Sequence, residues 1–153
     1  MNKKALVFIL IIFLISIVPE PALASNPSTS ARGAVLMETR TGRVLYAKNP
    51  HEKMPMASTT KIMTAILALE KGNLSDIVTV SRNASGVEGS SLYLAVGEKL
   101  TLEQLLYGLM LRSGNDAAVA IAEHIGGSLE KFVEMMNQKA VEIGARNTHF
   151  MNP

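Results

Sequence analysis

The chain has 153 residues, a formal net charge of +2 and neither cysteine nor tryptophan. A charge this close to balance argues against a nucleic-acid surface, which gathers Lys and Arg on one face. The lack of cysteine excludes disulfides, a thiol nucleophile and thiolate metal sites, so any side-chain nucleophile is oxygen or nitrogen.

Asn2-Lys3-Lys4 precedes an apolar run from Ala5 to Ile15 that continues to Val18, and Pro19-Glu20-Pro21 then breaks any helix. Ala22-Leu23-Ala24 supplies the small residues read at a cleavage site, so residues 1–24 are expected to be a signal peptide that sends the chain outside the cytoplasmic membrane, to the periplasm or cell wall. The apolar run is shorter than the roughly 20 residues of a bilayer span. Cleavage would remove Lys3, Lys4 and Glu20 and leave a net charge of +1. Residues 25–30 are rich in Ser, Thr and Pro and read as a flexible lead-in. The remainder is long enough for a domain with a core of its own.

The apolar segments Gly33 to Glu38 and Arg43 to Ala47 bracket Thr39-Arg40-Thr41-Gly42, which predicts a β-hairpin with Gly42 in its turn, ended by Asn49-Pro50. A helix is predicted from Ser58 to Lys71, stopped by Gly72. Its Ile62, Met63, Ile66, Leu67 and Leu69 point in nearly every direction, the pattern of a helix buried all round. Ile77 to Val80 is a short strand candidate. Leu102, Leu105, Leu106, Leu109 and Met110 then repeat with helical spacing behind Thr101 and Gln104, a capping box, in a helix ending near Arg112. After the polar turn Ser113-Gly114-Asn115, a helix of small residues runs from about Asp116 to His124 and closes at Gly126-Gly127. The last predicted helix, Leu129 to Ile143, turns Phe132, Val133, Met136 and Ala140 inward, is capped by Ser128 and ends at Gly144.

Ser58-Thr59-Thr60-Lys61 stands at the mouth of the most apolar helix. Residues i and i+3 share a helix face, which brings the Ser58 hydroxyl and the Lys61 ammonium within reach of each other. Burial beside Met56, Ile62 and Met63 would lower the lysine pKa, and a neutral amine beside a serine is a general base. Ser58 would also sit at the positive end of the helix dipole, where a developing oxyanion is favoured. The plainer alternative makes Ser58 a helix cap and Lys61 an exposed first-turn residue. Ser128-Leu129-Glu130-Lys131 has the same pattern and is expected to be only a cap and a polar face. About fifty residues after Ser58 comes Ser113-Gly114-Asn115, which alone is equally a turn or a cap.

S-x-x-K and S-D-N, with K-T-G, form the motif set of class A β-lactamases and penicillin-binding proteins, and here Gly114 stands in place of the Asp. Ala57-Ser58-Thr59-Thr60-Lys61-Ile62-Met63-Thr64, Ser90-Ser91-Leu92-Tyr93-Leu94, the stretch Gly97 to Leu111, Ser113-Gly114-Asn115-Asp116-Ala117 and Asn147 to Pro153 together resemble the low-molecular-mass penicillin-binding proteins that act as D-alanyl-D-alanine carboxypeptidases. The likeness covers residues 31–153. It implies an α/β (α+β) β-lactamase/transpeptidase-like fold, incomplete here as an N-terminal hairpin plus a mostly helical subdomain. It also implies an acyl-enzyme mechanism, with Ser58 as nucleophile, Lys61 as general base, Ser113 as proton relay and Asn115 on a substrate carbonyl. The implied substrate is a peptidoglycan stem peptide ending in D-Ala-D-Ala, and β-lactams would acylate the same serine. No cofactor or metal is implied, and His51, His124 and His149 lack ligand spacing.

The chain departs from the family in lacking K-T-G after Asn115; Arg40-Thr41-Gly42 lies before Ser58 and is expected to be the hairpin turn. In the family that strand carries substrate contacts and part of the oxyanion hole, whose single donors are worth on the order of 10² to 10³ in rate. These residues therefore read as the front part of a longer enzyme, with weak or no activity alone. The membrane-attaching C-terminal helix of some relatives is not seen in them. A related β-lactamase, a cross-link endopeptidase and a non-catalytic β-lactam or cell-wall binding fragment remain as alternatives.

Overall fold

The structure, a computed structural model, describes residues 27–153; the expected signal peptide lies outside them. The chain divides at Met54/Pro55 into two compact units.

In the first unit, strands β1 (Ala34–Met37) and β2 (Val44–Lys48) form the expected antiparallel hairpin, pairing Ala34 with Lys48 and Leu36 with Tyr46 before the register shifts between Leu36 and Met37. Arg40-Thr41-Gly42 is its turn. The Glu38 carboxylate accepts from the N–H groups of Arg40 and Thr41 at 2.8 Å each and from the Thr41 hydroxyl, while Gly42 takes a φ of +71° that glycine reaches without a steric penalty. The Thr41 hydroxyl, followed by the Arg40 N–H, holds the Glu38 carboxyl below its ordinary value. Successive strand residues face opposite sides. Val35 and Leu36 are 62% and 51% exposed, so the hairpin shows apolar side chains on both faces.

The second unit begins with a 3₁₀ turn, Ala57–Thr59, leading into α1 (Thr60–Lys71). Strands β3 (Ile77–Thr79) and β4 (Lys99–Thr101) pair antiparallel, Ile77 opposite Thr101. Then follow α2 (Leu102–Arg112), α3 (Asn115–Gly126) and α4 (Leu129–Glu142). Helix α3 is the central post and packs against α1, α2 and α4. Its Ala117, Ala118, Ala120 and Ala122 are buried, and residues this small let the neighbouring backbones approach closely. One core cluster gathers Val78, Leu102, Leu105, Leu109 and Ile121 around α2 and α3; a second joins Met63 and Leu67 of α1 to Phe132, Met136 and Phe150.

Two expectations change. Helix α1 buries Met63, Ala65, Leu67 and Ala68, yet Ile62 is 51% and Leu69 60% exposed, so one side of it is open among the described residues. The stripe on α2 is also narrower than read: Leu102, Leu105, Leu106 and Leu109 are buried while Met110 is half-exposed. Eight residues at 3.6 per turn carry Met110 roughly 80° past Leu102, to the margin of the buried arc. Gly72 does end α1, but with extended backbone. A Cβ there would lie 2.5 Å from Leu102 Cδ2 and 2.6 Å from Ile125 Cδ1, so close packing, not a left-handed turn, calls for glycine.

The capping box on α2 is complete: the Thr101 side chain accepts from Gln104 N at 3.1 Å and the Gln104 side chain accepts from Thr101 N at 2.9 Å. Ser128 caps α4, accepting from Lys131 N at 3.2 Å. Ser128→Ala is therefore expected to cost about 1 kcal/mol of unfolding free energy, read from urea denaturation, with no loss of chemistry at Ser58.

Candidate active site

The segment before α1 sets up the first side chain. Ala57 holds a φ of +47°, a left-handed conformation that costs a non-glycine residue on the order of 1–3 kcal/mol and that clusters at functional sites. No side chain caps the start of α1. The Ser58 hydroxyl is thus not engaged as a helix cap, the role that the plainer reading assigned it. It is exposed and lies 2.8 Å from the Ser113 hydroxyl, in hydrogen-bond contact.

Lys61 stands in the first turn of α1 and is only 7% exposed. Burial lowers its pKa from the ordinary 10.5, because a desolvated ammonium loses hydration that the neutral amine needs less. Its Nζ donates to Asn115 Oδ1 at 2.7 Å. Among the described residues no hydrogen bond runs directly from Lys61 to Ser58; each reaches the 113–115 turn by its own contact. Ser58 belongs to a 3₁₀ turn, which winds more tightly than the helix carrying Lys61, so the offset of one continuous α-helix does not apply.

Ser113 ends α2 with a φ of +57°, a position usually taken by glycine or asparagine. A serine there brings its hydroxyl to that of Ser58. Asn115 opens α3 and is held at three atoms: its backbone N–H donates to Ser90 O at 2.7 Å and its Nδ2 to Glu88 O at 2.6 Å, while Oδ1 receives Lys61. Ser58, Lys61, Asn115, Val87, Val119 and Asn152 are among the walls of a cavity of about 400 Å³. The structure therefore brings Ser58, Lys61, Ser113 and Asn115 together and leaves Ser128 in its cap, with Lys131 exposed.

Asp116, named in the sequence only as a helix start and a motif neighbour, has a further part in the structure. It is fully buried, and its carboxylate accepts from Ser91 Oγ at 2.7 Å, Leu92 N at 3.0 Å, Leu94 N at 3.1 Å and Ala117 N at 2.9 Å. Burial pushes its pKa up, but the hydrogen bonds from Leu92, Ser91, Leu94 and Ala117 together outweigh that and hold it below 3.8. The signal available was an acid directly after the turn and followed by alanines, which resembles any first-turn helix acid. His124, by contrast, lies beside Asp76, with 3.3 Å between Nε2 and Oδ2.

Residues 20–153 match the peptidase S11 family, D-alanyl-D-alanine carboxypeptidase. The chain belongs to this family. It is 48% identical to the D-alanyl-D-alanine carboxypeptidase DacF of Bacillus subtilis over 134 residues, which are 84% of the chain and 34% of that protein. Penicillin-binding protein 5 from Haemophilus influenzae superposes with a TM-score of 0.78 at 36% identity, covering 84% of the chain and 40% of its own. A D-alanyl-D-alanine carboxypeptidase from Mycobacterium tuberculosis gives 0.80 at 32% identity, covering 88% and 51%. The fold expected from the motifs is thus the one found, that of the penicillin-binding proteins and transpeptidases. The chain spans about a third of the length of DacF and about half of the mycobacterial carboxypeptidase.

Proposed function

We propose that these residues are the front part of an exported serine carboxypeptidase that removes the terminal D-alanine from peptidoglycan stem peptides. The observation that carries the reading is the pair of contacts meeting at the 113–115 turn: Ser58 against Ser113 at 2.8 Å, and a buried Lys61 against Asn115 at 2.7 Å. In this reading Ser58 Oγ attacks the carbonyl carbon between the two terminal D-alanines while Lys61, as the neutral amine, takes its proton. The C–N bond then breaks, the Ser113 hydroxyl passes the proton from Lys61 to the nitrogen of the departing D-alanine, and Ser58 is left as an ester of the shortened peptide. Water adds to the ester carbon as Lys61 takes one of its protons, that proton goes to Ser58 Oγ as the C–O bond breaks, and the product leaves as a carboxylic acid that ionises in solvent. In this reading the Asn115 amide also holds a substrate carbonyl, through the Nδ2 proton that Glu88 O does not take. Residues 1–24 would deliver the enzyme to the side of the membrane where peptidoglycan is found. β-Lactams would form the same ester with Ser58.

The reading is tested by placing residues 27–153 in the matching region of Bacillus subtilis DacF and assaying a D-Ala-D-Ala tripeptide. Release of D-alanine with turnover in the ordinary range, roughly 1 to 10³ per second, is expected. A folded chimera that releases none, or one that hydrolyses penicillin rapidly while leaving the tripeptide intact, overturns the assignment.

A further inference from the structure

The Asn115 carboxamide can face Lys61 with its oxygen or with its nitrogen, and for a general base these are opposite arrangements. A neutral amine has two N–H donors and one lone pair. Facing an oxygen, it spends a donor and keeps the lone pair; facing an NH₂, it has its lone pair occupied. The nearby loop decides between them. Asn115 Nδ2 donates to the Glu88 carbonyl at 2.6 Å, which leaves Oδ1 toward Lys61 Nζ at 2.7 Å, and Asn115 N is tied to Ser90 O at 2.7 Å. The loop is itself anchored, since the buried Asp116 carboxylate receives Ser91 Oγ, Leu92 N and Leu94 N. That anchoring holds Tyr93, between the two amides, at a φ of +61°. The approach is close enough to require glycine: at Gly89, with φ +93°, a Cβ would lie 2.7 Å from Asn115 Nδ2.

We infer that the loop from Glu88 to Leu94 is a positioning device, in which the Glu88 carbonyl and the side-chain-free Gly89 turn the Asn115 oxygen toward Lys61 so that the lysine lone pair stays available for the Ser58 proton. The inference rests on the reaction proposed above, but its geometry can be read without turnover. Among the described residues no other ionisable side chain lines the cavity that Lys61 faces.

The test uses the full chain, labelled with ¹⁵N and ¹³C, and two NMR readings: solvent exchange of the Asn115 Nδ2 protons and the titration midpoint of Lys61 from its Cε signal. Gly89→Ala is expected to speed the amide exchange about 10-fold, the worth of one lost hydrogen bond, and to move the Lys61 midpoint further below 10.5, because an NH₂ turned toward the ammonium removes an acceptor that favours the charged form. Ser91→Ala keeps the glycine and removes one ligand of Asp116; it is expected to shift both readings in the same direction by less, which decides the matter if Gly89→Ala does not fold. Unchanged exchange, or a midpoint that stays or rises, in a folded Gly89→Ala, or in Ser91→Ala where Gly89→Ala does not fold, overturns the inference. Benzylpenicillin adduct formation at Ser58, followed separately in the DacF chimera, reports on the reaction itself, so the two proposals fail by different signs.

Discussion

Ser58→Ala in the DacF chimera is expected to lower D-alanine release by about 10⁴- to 10⁶-fold, the range seen when a serine nucleophile that works as one unit with its base is removed. The expectation follows from the contacts, because Ser58 has no capping duty and loses only its place beside Ser113. Residues acting as a unit are not additive, so Lys61→Met on top of Ser58→Ala should cost almost nothing more. Single-turnover assays of both variants read this. A double variant far slower than Ser58→Ala would mean that Lys61 acts through something other than Ser58.

Asp116→Ala is expected to lower unfolding free energy by about 3–5 kcal/mol, the scale of breaking a buried charged network and stranding its partners. Four donors converge on this carboxylate, and two of them, Leu92 N and Leu94 N, would be left facing a hole. Asp116→Asn should cost less but also change the acid response. The folded-state pKa lies below 3.8, so the carboxylate's contribution is fully present above that value and is lost as pH falls through the folded pKa. Urea denaturation at neutral and acidic pH should accordingly show a shallower acid loss for Asp116→Asn than for the unsubstituted chain.

What could be read in the sequence was what depends on neighbours along it. The capping box of Thr101 and Gln104, the cap at Ser128, the turn at Gly42 and the apolar arc of α2 are settled within a few residues. Strand β4 was missed because Lys99-Leu100-Thr101 is too short to show a period, and only its pairing with β3 makes it a strand. The open side of α1 was missed because an apolar side chain announces a preference for burial, not the presence of a neighbour. At the site, motif spacing singled out Ser58, Lys61, Ser113 and Asn115. The partner choice it could not give, since Lys61 and Asn115 are 54 positions apart and meet only once α1 and α3 have packed. Asp116 is the same case in sharper form: its importance comes from donors on a loop more than twenty residues upstream.

The central physical claim is that Lys61 is short of water and therefore holds its proton less tightly than an exposed lysine does. An NMR titration of the Lys61 Cε signal in the full chain measures this directly. The account predicts a midpoint below the 10.5 of an exposed lysine; a midpoint at or above 10.5 in the folded chain would contradict it.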